Sequence, residues 1–206
     1  DRPAAVYSGM VPGFVAGDYE PAELEIDAVP LARRAGARIV LAAATRIDVR
    51  ERRVEVEGRP SIAYDVASLD IGSTVGGLEL PGVREHALAT RPIRDFVDGL
   101  EGSLSGLVGR ADPRVVVVGG GAAGVELAFT VNARLRARGV AARITLVSAG
   151  DRLLEGYPLA VGQSLERELA ARGIAMRFGT RVRAVTKEHA ELEDGVEPAD
   201  RVIWAT

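Results

Sequence analysis

The residues best placed to do chemistry lie in "RVVVVGGGAAGVELA", positions 114–128, where four valines run into three glycines, two alanines and a fourth glycine. Gly119, Gly121 and Gly124 fit G-x-G-x-x-G, with an apolar strand pattern before them and a helical pattern after them. The first glycine permits a tight turn, the second lets backbone approach a pyrophosphate, and the third lets helix and strand pack closely. The amino end of the following helix offers unpaired N–H groups and the positive end of its dipole to phosphates. Gly120, Ala122 and Ala123 keep that approach clear of side-chain bulk. A glycine-rich strand-to-helix turn that binds nothing is the alternative, and the flanking strand and helix weigh against it.

A second position bears on which dinucleotide would bind. An Asp or Glu at the end of the next strand would hold the adenosine ribose hydroxyls of NAD. Here that strand ends in Ser148, followed by Ala149, Gly150, Asp151 and Arg152, so no carboxylate stands at the expected place. Ser148 tolerates either cofactor and Arg152 offers a guanidinium to a 2′-phosphate. The choice between NAD and NADP is left open, with a lean to NAD. Glu126, two residues past Gly124, either complements the helix dipole or reaches toward the nicotinamide ribose or the redox centre.

The elements that must position these residues follow from periodicity. A strand at 114–118, a helix from about 122 to 138, a strand at 142–148 and a helix at about 160–172 stopped by Gly173 alternate as in a parallel sheet with crossover helices. "AMRFGTRVRAVTKE", "HAELED" and "RVIWAT" supply further strands. In the first half, "VYSGMVPGFVAGD" reads as a loop or short irregular helix. A short helix is expected between Pro21 and Gly36, interrupted around Pro30. "RIVLAAATRIDVRERRVEVEG" reads as two or three strands, and "SIAYDVASLDIGS" as a short apolar strand ending in glycine and serine. "LPGVREHALATRP", with His86, reads as loop. "IRDFVDGLEGSLSGLVGR" is an amphipathic helix fraying into the best candidate linker, which places a domain boundary between 1–110 and 111–206.

Composition narrows the function classes. The 206 residues carry a net charge of −3, which argues against a nucleic-acid partner. The arginine clusters at 33–38 and 50–53 read as solvated faces. There is no cysteine, and His86 and His189 are the only histidines, so thiolate and zinc chemistry find no ligands and no metal is expected. No apolar run reaches bilayer length. Cytoplasm is the default expectation, at most with peripheral attachment to the inner face of a membrane. Both ends read as internal to a longer sequence, since the first residue is not Met and "RVIWAT" stops on an apolar strand.

"VVVVGGGAAGVELA" closely resembles the pyridine-nucleotide module of the two-dinucleotide-binding-domain flavoproteins, the pyridine nucleotide-disulfide oxidoreductase superfamily. "YSGMVPGFVAG" and "LARRAGAR" are similar to type II NADH dehydrogenase-like proteins, including those fused to selenide, water dikinase. The resemblance implies an α/β fold in which a Rossmann-like NAD(P)-binding domain follows an incomplete FAD-binding domain lacking its own glycine fingerprint. "YDVASLDIGS" is similar to the strand leaving the FAD domain, with Gly72 and Ser73 kept at its end and Asp70 and Ile71 departing from the usual pattern. "AAATRID" resembles the strand behind the FAD adenine, where the backbone near Ala44 would bind.

From the resemblance follow FAD and NAD(P)H as cofactors and hydride transfer from nicotinamide to flavin. Disulfide reductases of this superfamily keep a cysteine pair in the region where this chain has "VYSGMVPGF", so the acceptor should meet the flavin directly, with a quinone as first choice. Tyr7 and the glycine-rich segment after it are candidates for that side. A selenide, water dikinase is an implied fusion or association partner. The rival expectation is a flavoprotein-like binding or regulatory module with little turnover, linked to selenium metabolism. The chain by itself is expected to be inactive and nearly colourless.

Overall fold

The computed structural model describes residues 2–206. In chain order the elements are β1 (Ala4–Val6), α1 (Val11–Ala16), β2 (Glu25–Asp27), α2 (Ala28–Arg34), β3 (Ala44–Asp48), β4 (Arg53–Val56), β5 (Arg59–Ala63), α3 (Val83–His86), β6 (Ala87–Ala89), α4 (Ile93–Ser105), β7 (Arg114–Val118), α5 (Ala122–Ala137), β8 (Arg143–Val147), α6 (Leu159–Ala171), β9 (Ala175–Arg177), β10 (Val182–Val185), β11 (His189–Leu192), β12 (Gly195–Pro198) and β13 (Arg201–Trp204). They form two compact units. One comprises residues up to Tyr7 together with Ala22–Gly72, and the other Ser8–Pro21 with Ser73–Thr206.

The larger unit is built on a five-stranded parallel sheet in the order β6-β13-β7-β8-β9. A parallel strand needs cover on both faces, which is why β7 is valine throughout its last four residues, all buried. Side chains alternate along a strand, so Val116 and Val118 face one way with Val147, Val202 and Trp204. There they share a core with Val182, Val185, Ala190 and Leu192 of an antiparallel meander, β10-β11-β12. Val115 and Val117 face the other way, toward the side on which α5 makes the crossover to β8. The amphipathic α4 buries Phe96, Val97, Leu100 and Leu104 and packs on β6.

The smaller unit holds two antiparallel sheets, β1-β2 and the meander β3-β4-β5. The turn between β3 and β4 is fixed by Asp48, whose carboxylate accepts hydrogen bonds from the backbone N–H groups of Arg50 and Glu51 at 3.0 and 2.9 Å. Arg33, Arg34, Arg38, Arg50, Arg52 and Arg53 are exposed, as solvated clusters should be.

Several expectations are corrected. The compact units do not divide at residue 110, because β6 and α4 belong to the parallel sheet and its cover, and α1 packs on α5. Pro30 does not interrupt a helix. It sits in the first turn of α2, where a missing N–H costs nothing, and Asp27 caps that helix by accepting from Val29 N–H at 2.9 Å. "LPGVREHALATRP" is not loop throughout, since it contains α3, ending in His86, and the edge strand β6. "SIAYDVASLDIGS" is strand only as far as Ala63. Beyond it no strand among the described residues pairs with 64–73, and Val66, Leu69 and Ile71 stand exposed at 89%, 63% and 88%. The ladder ends with Tyr64, whose N–H donates to the Arg52 carbonyl at 2.9 Å, and without a paired neighbour the residues after it have nothing to hold them as a strand.

The segment 8–17 is the short irregular helix expected, and a single arginine fastens it. Arg134 of α5 donates to the Phe14 carbonyl at 2.8 Å, lies 5.8 Å from the Phe14 ring centre, and shares Glu101 of α4 with Arg138 at 2.7 and 2.8 Å. The hydrogen bonds from Arg138 and then Arg134 hold the Glu101 carboxyl at about 2, below its ordinary 4.5. A depressed acid stabilises the fold above its unfolded value and loses that contribution as pH falls toward the folded one. Glu101→Gln is therefore expected to melt below the parent at neutral pH, with the gap closing as pH drops from 4.5 toward 2, read by thermal unfolding.

Candidate functional site

The strand order places β7 between β8, reached by one crossover, and β13, reached on the opposite side. In an open parallel sheet the crevice beyond the carboxyl ends at such a reversal is where ligands bind. A cavity of about 730 Å³ opens there, lined by the turn Gly119–Gly121, by Ser148 and Gly150 after β8, and by Trp204 and Thr206 at the end of β13.

Local geometry explains the glycines. The sheet ladder continues one step past β7, with Gly119 N–H donating to Val147 O and Ala205 N–H to Val118 O, both at 2.8 Å. Gly119 then turns with φ +130°, where any Cβ would overlap the Ala205 carbonyl. A Cβ at Gly124 would overlap the Gly119 carbonyl, so the third glycine is what lets α5 start against β7. At Gly120 it would strike the Ser148 side chain. Gly121 is different. Its backbone is extended, nothing lies within 4 Å of its Cβ position, and it begins α5 with no side-chain cap. Gly121, Ala122 and Ala123 are all exposed. The mouth of a four-turn helix is open, uncapped and faces a cavity, which is the geometry a diphosphate needs.

The remaining expected residues divide. Ser148 is buried, packs on Gly120, and its hydroxyl accepts the Gly150 N–H at 3.2 Å. Arg152 lines the cavity, but its guanidinium is committed to the carbonyls of Glu155, Leu154 and Tyr157 at 2.5, 3.3 and 3.3 Å. Among the described residues no ion pair joins Arg152 to Asp151, because that loop claims the arginine. Glu126 lies on another face of the α5 amino end. It lines a second cavity of about 290 Å³ with Ser8, Gly9 and Pro12 of the glycine-rich segment and with Thr90 and Arg91. Tyr7 is not among the residues lining it.

Ala44 opens β3, Gly72 adopts φ +74° with open space about it, and Ser73 is exposed. None of the three lines either cavity.

Three contributors were missed in the sequence. Trp204 and Thr206 both donate to the Gly76 carbonyl, at 2.6 and 2.7 Å, and Gly77 lies against the indole, so the end of β13 holds the segment 76–80 as a cavity wall. Glu155 lies in the loop after β8. No spacing rule marks a loop carboxylate or a wall made by a tryptophan.

The glycines make separable predictions. Gly124→Ala should lower the thermal midpoint substantially, at a cost of roughly 1–3 kcal/mol for an overpacked contact. Gly121→Ala should leave it nearly unchanged, since the site is open and the backbone extended. Equal losses in both would contradict the geometry.

The comparisons agree with this reading of the fold. The family model described as pyridine nucleotide-disulphide oxidoreductase matches residues 3–206. A demethylphylloquinone reductase from Synechocystis sp. is 30% identical over 202 residues, covering 93% of this chain and 49% of the relative. An NADH dehydrogenase-like protein from Mycobacterium tuberculosis is 33% identical over 183 residues, 82% and 45% respectively. The solved structure of NDH2 from Plasmodium falciparum in complex with NADH superposes with a TM-score of 0.82 at 14% identity, over 100% of this chain and 48% of that one. The chain thus spans about half the length of the curated relatives it matches. An α/β fold with a Rossmann-like parallel sheet, an open glycine turn at its switch point and a family match along nearly the whole sequence lead to one conclusion: the chain belongs to the pyridine nucleotide-disulphide oxidoreductases, the oxidoreductase family that works with FAD and NAD(P)H.

Proposed function

We propose that a protein carrying this chain is an FAD-dependent NAD(P)H oxidoreductase that delivers electrons to a quinone. The observation that carries the proposal is the open, uncapped amino end of α5 at Gly121, facing a cavity at the switch point of the sheet. When bound, the nicotinamide nucleotide supplies a hydride and FAD takes it up.

The chain's own residues do the positioning. Gly119, Gly120, Gly121, Ala122, Ala123 and Gly124 form the turn and first helical residues that would hold the diphosphate, by backbone N–H groups and helix dipole together. Ser148 closes the floor beneath Gly120. Trp204, through its hydrogen bond to the Gly76 carbonyl, keeps the wall fixed. Glu126, in the second cavity beside Thr90 and Arg91, is proposed as the side chain that orients the reacting end of the nicotinamide half. Ala44, Gly72 and Ser73 remain proposed flavin contacts.

A quinone acceptor is supported by two facts. The Synechocystis relative is a demethylphylloquinone reductase, and this chain has no cysteine with which to relay electrons through a disulfide. No helix among the described residues is long and apolar enough to cross a membrane, so membrane contact by these residues would be peripheral. Association with a selenide, water dikinase is a finer proposal, carried by "YSGMVPGFVAG" and "LARRAGAR" alone.

The test is spectroscopic. The FAD-loaded protein, mixed anaerobically with NADH or NADPH, should lose the visible absorption of oxidised flavin and regain it when a quinone is added. Thiol alkylation of these 206 residues should change nothing. No bleaching with either nucleotide would favour the rival reading, a binding module with little turnover. In a binding assay Gly121→Val should lower nucleotide affinity at least ~10-fold while leaving the fold intact, since its side chain would occupy the diphosphate's approach.

A further inference from the structure

The second strand of the nucleotide-binding motif, β8, ends without the carboxylate that would receive the adenosine ribose, yet a carboxylate stands beside that strand end. Glu155 lies over the backbone of Gly150. A Cβ at Gly150 would overlap its Oε1 and lie 3.3 Å from its Oε2, and Ser148, Ala149, Gly150 and Glu155 all line the cavity. Only a residue without a side chain at 150 lets the carboxylate come this close.

The loop that carries Glu155 is built to stay there. Leu153 is fully buried, and Leu154 donates its N–H to the Gly120 carbonyl at 2.9 Å, which ties the loop to the glycine turn itself. Leu154 also holds φ +51°, an unfavourable left-handed conformation for leucine that persists only where surrounding contacts demand it. Arg152 closes the loop from beneath through the carbonyls of Leu154, Glu155 and Tyr157. The Glu155 carboxylate itself has no hydrogen-bond or ion-pair partner among the described residues, so both its oxygens are available to a ligand.

We infer that Glu155 receives the adenosine ribose hydroxyls, in place of the carboxylate that Ser148 does not supply, and makes the site select an unphosphorylated ribose. A carboxylate accepts hydrogen bonds from vicinal hydroxyls and repels a 2′-phosphate at the same place. Arg152, the cation that sequence offers to a 2′-phosphate, is already spent on the loop. Of the other cations lining the cavity, Arg183 pairs with Glu193, while Arg181 has no such partner among the described residues and is the group that would oppose this selectivity. The assignment rests on the dinucleotide reading of the cavity.

The test is direct binding, with no turnover needed. Isothermal titration of the whole protein carrying this chain with ADP-ribose and with 2′-phospho-ADP-ribose should show tighter binding of the first. Glu155→Gln should cost about tenfold in ADP-ribose affinity, as expected for losing a hydrogen bond to a charged group. It should also narrow or reverse the preference, with no change in thermal midpoint. Quenching of Trp204, the only tryptophan and a cavity residue, gives a second readout with NADH and NADPH. The parent preferring the 2′-phosphate, or Glu155→Gln keeping the original preference, would overturn the assignment while leaving the nucleotide site intact. Loss of the preference in Ser148→Ala but not in Glu155→Gln would overturn it equally. If neither ligand binds the parent, the dinucleotide reading fails and this inference falls with it.

Discussion

The structure depends on one close approach, that of the first turn of α5 to the end of β7. A backbone carbonyl at Gly119 occupies the space in which any side chain at 124 would begin. That contact sets the angle at which the helix leaves the strand, and hence where its N–H groups point. Everything in the cavity is referred to it. The floor at Ser148 touches Gly120, the loop at Leu154 bonds Gly120, and the end of β13 abuts Gly119. Three strand ends and one loop converge on Gly119 and Gly120, leaving Gly121 open to the cavity.

A second dependence concerns burial. Because β7 is covered on both faces, by α5 on one and by the meander β10-β11-β12 on the other, it cannot shift without breaking two packed layers. The antiparallel meander is therefore more than an insertion between β9 and β13. It supplies the valines and leucine that seat Trp204, whose indole N–H in turn fixes the segment at Gly76. The wall on one side and the loop on the other are each held to the sheet by hydrogen bonds, at Gly76 and at Gly120.

Legibility followed the strength of local signals. The four valines and the glycine turn carry both a period and a motif, so β7, α5, β8 and α6 were readable to within a residue or two. β6 was not, because Ala-Leu-Ala has neither alternation nor β-branching, and it becomes a strand only by pairing with β13 far along the chain. β12 was missed for a related reason: Gly-Val-Glu-Pro carries one apolar side chain and no alternation, and only the ladder with β11 makes it a strand. The segment 64–73 erred in the opposite direction. Its apolar residues read as strand, but after the Tyr64 N–H bond to the Arg52 carbonyl no strand among the described residues pairs with it. At the site, Gly119, Gly120 and Gly121 line the cavity beyond β7, whereas Ala122 and Ala123 line the second cavity beside Glu126. Trp204 and Glu155 were invisible because their roles come from tertiary neighbours, Gly76 and Gly150, that no spacing links to them.

The course of the chain between its two compact units has a practical consequence. The polypeptide passes from one to the other between residues 7 and 8, again between 21 and 22, and again between 72 and 73. The nucleotide unit is thus stitched from two non-adjacent lengths of sequence, and no single cut would release it whole. Trimming the chain to its contiguous portion from Ser73 would remove α1, strip the Arg134 guanidinium of the Phe14 carbonyl, and uncover the side of α5 that α1 shields. An autonomous module would have to carry residues 8–21 along, by a linker or by circular rearrangement.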